Sequence, residues 1–186
     1  MAGSNTARTG IESYGSVSPE VEADFKKPAK KPGLSYWVIP DSRGVLKGML
    51  HFFRRFEYCR DVIVLVSKTT PADYLEYLKK REYDFIVAGE ERVDYNGAFG
   101  ALAAKYNVRR ILVDSGPGLG GVLLGKGLVD EISLLIHPGL AGKTAPGLFE
   151  SLELGGSNIE LRPVRQEIIE DKYLWVVWRV KKGNNI

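Results

Sequence analysis

The segment from Arg110 to Pro138, RILVDSGPGLGGVLLGKGLVDEISLLIHP, constrains the fold more than any other stretch of the chain. It opens with an apolar run, Ile111 to Val113, that reads as a buried strand. A glycine-rich turn, Ser115-Gly116-Pro117-Gly118, comes next, and the apolar stretch Leu119 to Leu124 then has the length of a short helix. The punctuation Gly125-Lys126-Gly127 leads into a second apolar strand, Glu131 to His137. A strand, a glycine turn and a helix in that order expose backbone N–H groups at a helix N-terminus, where an anion can be held. Glycines in such a turn also serve positive φ or close packing, so the motif alone leaves both readings open.

The remaining chain alternates between strand and helix patterns. Leu34 to Ile39 is aromatic and β-branched and ends at Pro40, which predicts a strand. Asp61 to Val66 is almost wholly apolar, as for a strand covered on both faces. Thr70-Pro71 supplies an N-cap and a proline at the first helical position for a helix running to Lys80 and Arg81, whose charges suit its C-terminal end. Asp84 to Ala88 predicts a further strand, and Asp94 caps a helix running to about Asn107. Past Gly155-Gly156, the stretches Ile159 to Glu170 and Tyr173 to Val180 read as an antiparallel hairpin joined by Asp171-Lys172. The order predicts an α/β fold with a mainly parallel sheet, an antiparallel C-terminal hairpin and helices on both faces. Several doubly wound sheets satisfy it. Lys26 to Gly33, KKPAKKPG, reads as a solvated connection.

Composition narrows the function. The 186 residues fit a single domain over 1–186, with 44% hydrophobic and 26% charged residues. A net charge of +3 gives no basis for nucleic-acid binding. One cysteine, Cys59, and two histidines, His51 and His137, leave no internal disulfide and argue against a structural zinc site. No apolar run reaches the ~18 residues of a membrane span, and no signal peptide is evident, which predicts a cytoplasmic protein. His137 reads as a structural histidine, and Tyr173, Trp175 and Trp178 as sheet packing.

The 110–138 segment resembles the signature of the riboflavin-biosynthesis reductase family, the reductase half of the bifunctional pyrimidine deaminase–reductase and its stand-alone relatives. The matching positions are Asp114, Gly116, Pro117, Leu119, the run Gly127-Leu128-Val129-Asp130-Glu131, and Pro138. The resemblance implies a dihydrofolate reductase-like fold and NADPH-dependent reduction of a ribosylaminopyrimidine 5′-phosphate to its ribitylamino product. Alternatives are another pterin-like or carbonyl substrate on the same fold, or a non-catalytic nucleotide-binding remnant. Two positions depart from the family pattern: Asp114 stands where deaminase-linked members usually have Glu, and Gly118 where a Thr is frequent.

Site residues carry over one by one. Gly3, Asn5 and Thr6 belong to a stretch, Gly3-Ser4-Asn5-Thr6, similar to the family's Gly-x-x-Thr at the nicotinamide nucleotide. Asp41, Ser42 and Arg43 resemble the Asp-Ser-Arg that meets the adenosine end, where a hydroxyl and a guanidinium suit a 2′-phosphate. Asp-Ser is equally ordinary turn chemistry. Ser67 is a weaker contact of the same kind, and Gly116, Pro117, Gly118 and Leu119 form the turn expected against the pyrophosphate. Asp114 is the catalytic candidate, near the substrate; the alternative is that it holds backbone N–H groups of the turn. The resemblance also implies a strand, a helix and a substrate-binding lysine ahead of Gly3, where only Met1 and Ala2 stand. The reading is therefore of an N-terminally incomplete domain that begins at an internal methionine and is a poor catalyst as it stands. A homodimer through the C-terminal strands completes the set of expectations.

Overall fold

The computed structural model describes residues 1–15, 18–142, 144–145, 147–150, 152 and 158–181. The expected punctuation at Gly155-Gly156 lies outside the described residues. The chain forms two compact units, Met1–Gly116 and Pro117–Ile186.

The first unit is built on three parallel strands in the order β1 (Ser35–Pro40), β2 (Cys59–Val66) and β3 (Asp84–Val87). β2 is the middle strand, and seven of its eight residues are buried, which is why its sequence lacks polar alternation. Its side chains divide by parity. Val62, Val64 and Val66 join Ile39 on one face, under α1 (Ser4–Ser13), the short α2 (His51–Arg54) and α3 (Ala72–Lys80). Ile63 and Leu65 join Val38 and Ile86 on the other, under α4 (Tyr95–Tyr106) through Ala98 and Leu102. Burying a side chain of this size contributes about 1.5–3 kcal/mol, so both faces are needed to hold a sheet this narrow.

The helices form for local reasons. α3 buries Tyr74, Tyr77 and Leu78, spaced three and four apart on one stripe. Its start differs from expectation. Pro71 is the N-cap rather than the first helical residue, and the Thr70 hydroxyl instead accepts from the Ser67 N–H at 3.0 Å. α4 begins as predicted, with the Asp94 carboxylate accepting from Asn96 and Gly97, and ends on Asn107 at φ 54°.

The basic loop is less solvated than its sequence suggests. Lys30 Nζ donates to the carbonyls of Arg54, Phe56 and Cys59 at 2.6–2.8 Å. Beside it, buried Arg54 pairs with Asp61 at 2.8 Å and lies 3.6 Å over the Tyr83 ring.

The run Ile111–Val113, read as a buried strand, is corrected: the structure assigns no strand there, and Leu112 is 77% exposed. An apolar run becomes a ladder strand only when neighbours pair with it. Among the described residues the pairing is confined to Met1, whose nitrogen donates to Leu112 O and whose carbonyl accepts from Asp114 N–H.

The second unit carries α5 (Pro117–Gly125) and an antiparallel sheet in the order β4 (Glu131–Ile136), β6 (Tyr173–Val180), β5 (Leu161–Ile169). The predicted hairpin is present, turning at Glu170 and Asp171, both with positive φ. β4 joins it antiparallel, so the parallel and antiparallel parts are two three-stranded sheets. Leu124 of α5 packs with Ile132 and Val180.

Candidate functional site

Parallel strands deliver their C-terminal ends, and the loops after them, to one side of a sheet, the usual place for ligands in open α/β sheets. In the first unit that side is formed by the loop after β1, the loop after β2, the start of α1, and Ser115-Gly116. The extended residues Met1–Ala2 run parallel with their neighbours. Ala2 N–H donates to Val38 O of β1 at 3.2 Å, and the Met1 bonds to Leu112 and Asp114 have the spacing of a parallel bridge. Gly3 and Ser115 therefore leave their segments on the side from which Asp41 leaves β1.

Two of the sequence-derived segments come together there. Gly3 N–H donates to the Ser115 hydroxyl at 3.1 Å, Thr6 Oγ1 lies 3.2 Å from that hydroxyl, and Gly116 N–H donates to Thr6 Oγ1 at 3.1 Å. Gly3 is the N-cap of α1 and brings no side chain, so the first turn of this ten-residue helix has no side-chain cap. Its N–H groups and the positive end of its dipole remain available to an anion. Asn5 and Thr6 are exposed at this end. The sequence reading did not assign Ser115 a role, although its hydroxyl ties the two segments together. The available signal was a hydroxyl between a strand end and a glycine.

The Asp114 carboxylate is exposed and, among the described residues, takes no hydrogen bond from the turn; Gly116 N–H goes to Thr6 instead. Of the two readings of Asp114, the one that spends it on the turn fails. Its charge faces the Met1 ammonium, whose pKa burial lowers and Asp114 partly restores.

Asp41 requires a correction. Its carboxylate points inward, accepting from Val45 N–H and Leu46 N–H at 2.9 Å each and from the Tyr74 hydroxyl at 3.0 Å. A buried carboxylate with three donors shapes the loop and has no free edge for a cofactor. Burial, with the Asp41 charge beside it, pushes the Tyr74 hydroxyl far above its ordinary pKa, so it remains a donor. Gly44, at φ +71°, completes this loop; a Cβ there would lie 2.9 Å from the Tyr74 ring. Ser42 is half-buried, whereas Arg43 is exposed with no partner among the described residues.

Ser67 is corrected likewise. It is fully buried, and its hydroxyl donates to Glu91 O at 3.1 Å, stitching the loop after β2 to the one after β3.

In the second unit, Pro117 opens α5 and its carbonyl accepts from Glu150 N–H at 3.1 Å, while Gly118 and Leu119 follow in the first turn. No group of three or more potential metal ligands occurs among the described residues.

A sequence model of the RibD C-terminal domain matches residues 38–174. No curated protein matches the chain significantly. Among solved structures, a pyrimidine reductase-like protein from Corynebacterium diphtheriae superposes with a TM-score of 0.70 at 21% identity, covering 98% of this chain and 75% of that one. RibD from Acinetobacter baumannii superposes with a TM-score of 0.58 at 18% identity, covering 77% of this chain and 37% of that one. At these identities the likeness is one of fold.

Proposed function

The chain belongs to the RibD C-terminal domain family, a family of riboflavin-biosynthesis reductases, and from that membership we propose that it is an NADPH-dependent reductase. Its substrate in this reading is a ribosylaminopyrimidine 5′-phosphate, reduced at C1′ of the opened ribose to the ribitylamino product. The observation that carries the reading is the meeting of Gly3–Thr6 with Ser115–Gly116 at an uncapped helix start.

The residues present fit a dinucleotide phosphate. The first turn of α1 offers backbone N–H groups to a pyrophosphate, and Thr6 and Ser115 offer hydroxyls. Gly116, whose N–H donates to Thr6 Oγ1, stands beside them, and Pro117, Gly118 and Leu119 follow it in sequence as the first turn of α5. Arg43, exposed and unpaired among the described residues, is the side chain suited to a 2′-phosphate. NADPH, when bound, supplies the hydride. The chain's own work is positioning: the Asp114 carboxylate accepts hydrogen bonds from substrate amino or hydroxyl groups, and the Thr6–Ser115 pair keeps the two cofactor-facing segments in register.

We further propose a homodimer in the cytoplasm. In the antiparallel sheet, Ile136, Leu174 and Ile168 stand opposite one another across three strands and are 44%, 40% and 69% exposed. An exposed apolar row of this kind fits an interface. No helix among the described residues is long and apolar enough to cross a membrane.

The test is consumption of NADPH on adding the ribosylaminopyrimidine phosphate, with the ribitylamino product identified by mass. NADPH binding together with the reduced product supports the assignment. Binding of NADPH without turnover of this substrate counts against it and favours another carbonyl substrate or a non-catalytic nucleotide-binding role.

A further inference from the structure

Between α1 and β1, residues 18–30 form a strap over α2 and α3 that contains one 3-10 turn, Glu22–Phe25. Among the described residues, none of 18–30 joins either apolar cluster of this unit. Charged and polar bonds hold the strap instead. Glu20 accepts from Arg81 and from the Tyr77 hydroxyl, and the Asp24 carboxylate takes the Arg55 guanidinium. The carbonyls of Asp24 and Lys26 accept from Arg54. Lys27 pairs with Asp84, and Lys30 fills its cage of three carbonyls. A segment that buries so little apolar surface can open without unfolding the rest of its domain.

One contact in this seam is incomplete. His51, the first residue of α2, is 1% exposed. Its Nε2 lies 2.8 Å from the Ser18 carbonyl, while its Nδ1, without a hydrogen-bond partner among the described residues, lies 3.8 Å from Glu20 Oε1. Both ring nitrogens therefore face acceptors of the strap. A neutral imidazole has a single N–H. Placed on Nε2, it leaves the bare Nδ1 buried against a carboxylate; placed on Nδ1, it leaves the bare Nε2 against a carbonyl. Only the imidazolium gives each acceptor a donor. Of the charges around the ring, Glu20 and Asp24 of the strap favour the proton. Arg54, Arg55 and Arg81 oppose it, but each is already bonded to a carboxylate, of Asp61, Asp24 and Glu20 respectively. Tyr77 of α3 and Tyr83 beyond it remain neutral, because burial raises both hydroxyls above their ordinary pKa. α1 adds only Ala7 and Ile11 to this core. We propose that His51 is a proton switch on the strap: the charged ring clamps Ser18 and Glu20 to α2, and loss of its proton loosens residues 18–30 as a unit. Closure takes up a proton, so by linkage the closed strap is favoured at lower pH and weakens as pH rises through the deprotonation of His51. The switch is independent of the proposed reduction.

The test follows amide exchange and the nitrogen shifts of the His51 ring by NMR between about pH 5.5 and about pH 7.5, within the interval where histidine is the side chain that changes charge. Exchange is read as protection factors, which removes the intrinsic effect of pH. The N–H groups of Val21, Asp24 and Lys27 are bonded within the strap or to Glu82. In the parent their protection should fall roughly tenfold across the interval, while that of Val62 to Leu65 in β2 changes little. Both ring nitrogens of His51 should be protonated at the acidic end. His51→Gln keeps a donor for the Ser18 carbonyl but binds no proton, and should hold the strap at the parent's high-pH protection throughout. Glu20→Gln offers Nδ1 an amide donor and should also flatten the profile. His137→Gln, at the exposed histidine, should leave the profile as in the parent. A flat profile in the parent, a single-tautomer neutral His51 ring at about pH 5.5, or the parent's pH dependence surviving in His51→Gln or Glu20→Gln would each overturn the proposal.

Discussion

Replacing Asp41 separates the two roles open to the Asp-Ser-Arg stretch. Its carboxylate serves three donors, of which the Leu46 N–H and the Tyr74 hydroxyl belong to fully buried residues, while Val45 is half-buried. In Asp41→Ala the Val45 N–H can turn to water, but the other two are stranded. At about 1–3 kcal/mol for each stranded buried group, and allowing for relaxation of the loop, the cost is about 3–5 kcal/mol. That is about a fifth or more of the ~5–15 kcal/mol stability of a typical domain. Asp41→Asn keeps one acceptor oxygen and turns an amide donor towards a donor, costing about 1–2 kcal/mol. Tyr74→Phe removes one hydroxyl and leaves the carboxylate its two backbone partners, costing about 0.5–1.5 kcal/mol. Urea unfolding of the three variants should rank them in that order. NADPH titration of Asp41→Asn, in buffer where it remains folded, should match the parent. Parent-like stability in Asp41→Ala, combined with lost NADPH affinity, would refute the reasoning and make Asp41 a cofactor ligand.

Other perturbations test separate parts of the account. Hydrogen bonding from Arg55 holds the Asp24 carboxyl below its ordinary pKa of 3.8. That contribution is complete above the unfolded value and is lost as pH falls through the lower folded one. Asp24→Asn should therefore flatten the stability curve on the acidic side of pH ~4, and an unchanged acid limb would count against the pair. Gly44→Ala should destabilise by about 1–3 kcal/mol through positive φ and the approach to Tyr74, measured by thermal unfolding. Ile168→Lys should shift the protein to monomer in light scattering without lowering its stability; a parent that is already monomeric contradicts the proposed interface.

Much of the fold was legible because its signals are local. β2 announced itself through VIVLV, and α4 through Asp94 at one end and Asn107 at the other. What escaped depends on distant partners. The apolar run 111–113 carries a strand sequence, yet whether it forms a ladder is decided by what lies beside it. The antiparallel pairing of β4 with β6 joins segments about 40 residues apart, and no local pattern encodes it. At the site, the meeting of Gly3–Thr6 with the glycine turn was suggested only by family resemblance, since the bonds span more than 100 residues of chain. The inward rotation of Asp41 was hidden because its buried hydroxyl partner, Tyr74, belongs to α3. Ser67 was misread for the same reason: its acceptor is the carbonyl of Glu91.

The central claim is that the uncapped start of α1 and the Ser115–Gly116 turn together hold a nicotinamide dinucleotide phosphate. NADPH titration followed by amide chemical shifts tests it most directly, with Thr6→Val as the paired variant. The account predicts saturable shifts concentrated at Gly3 to Ala7 and Ser115 to Gly116. It also predicts an affinity roughly tenfold weaker or more in Thr6→Val, with unfolding close to that of the parent. Saturable shifts elsewhere in the protein, or undiminished affinity in the variant, would contradict it.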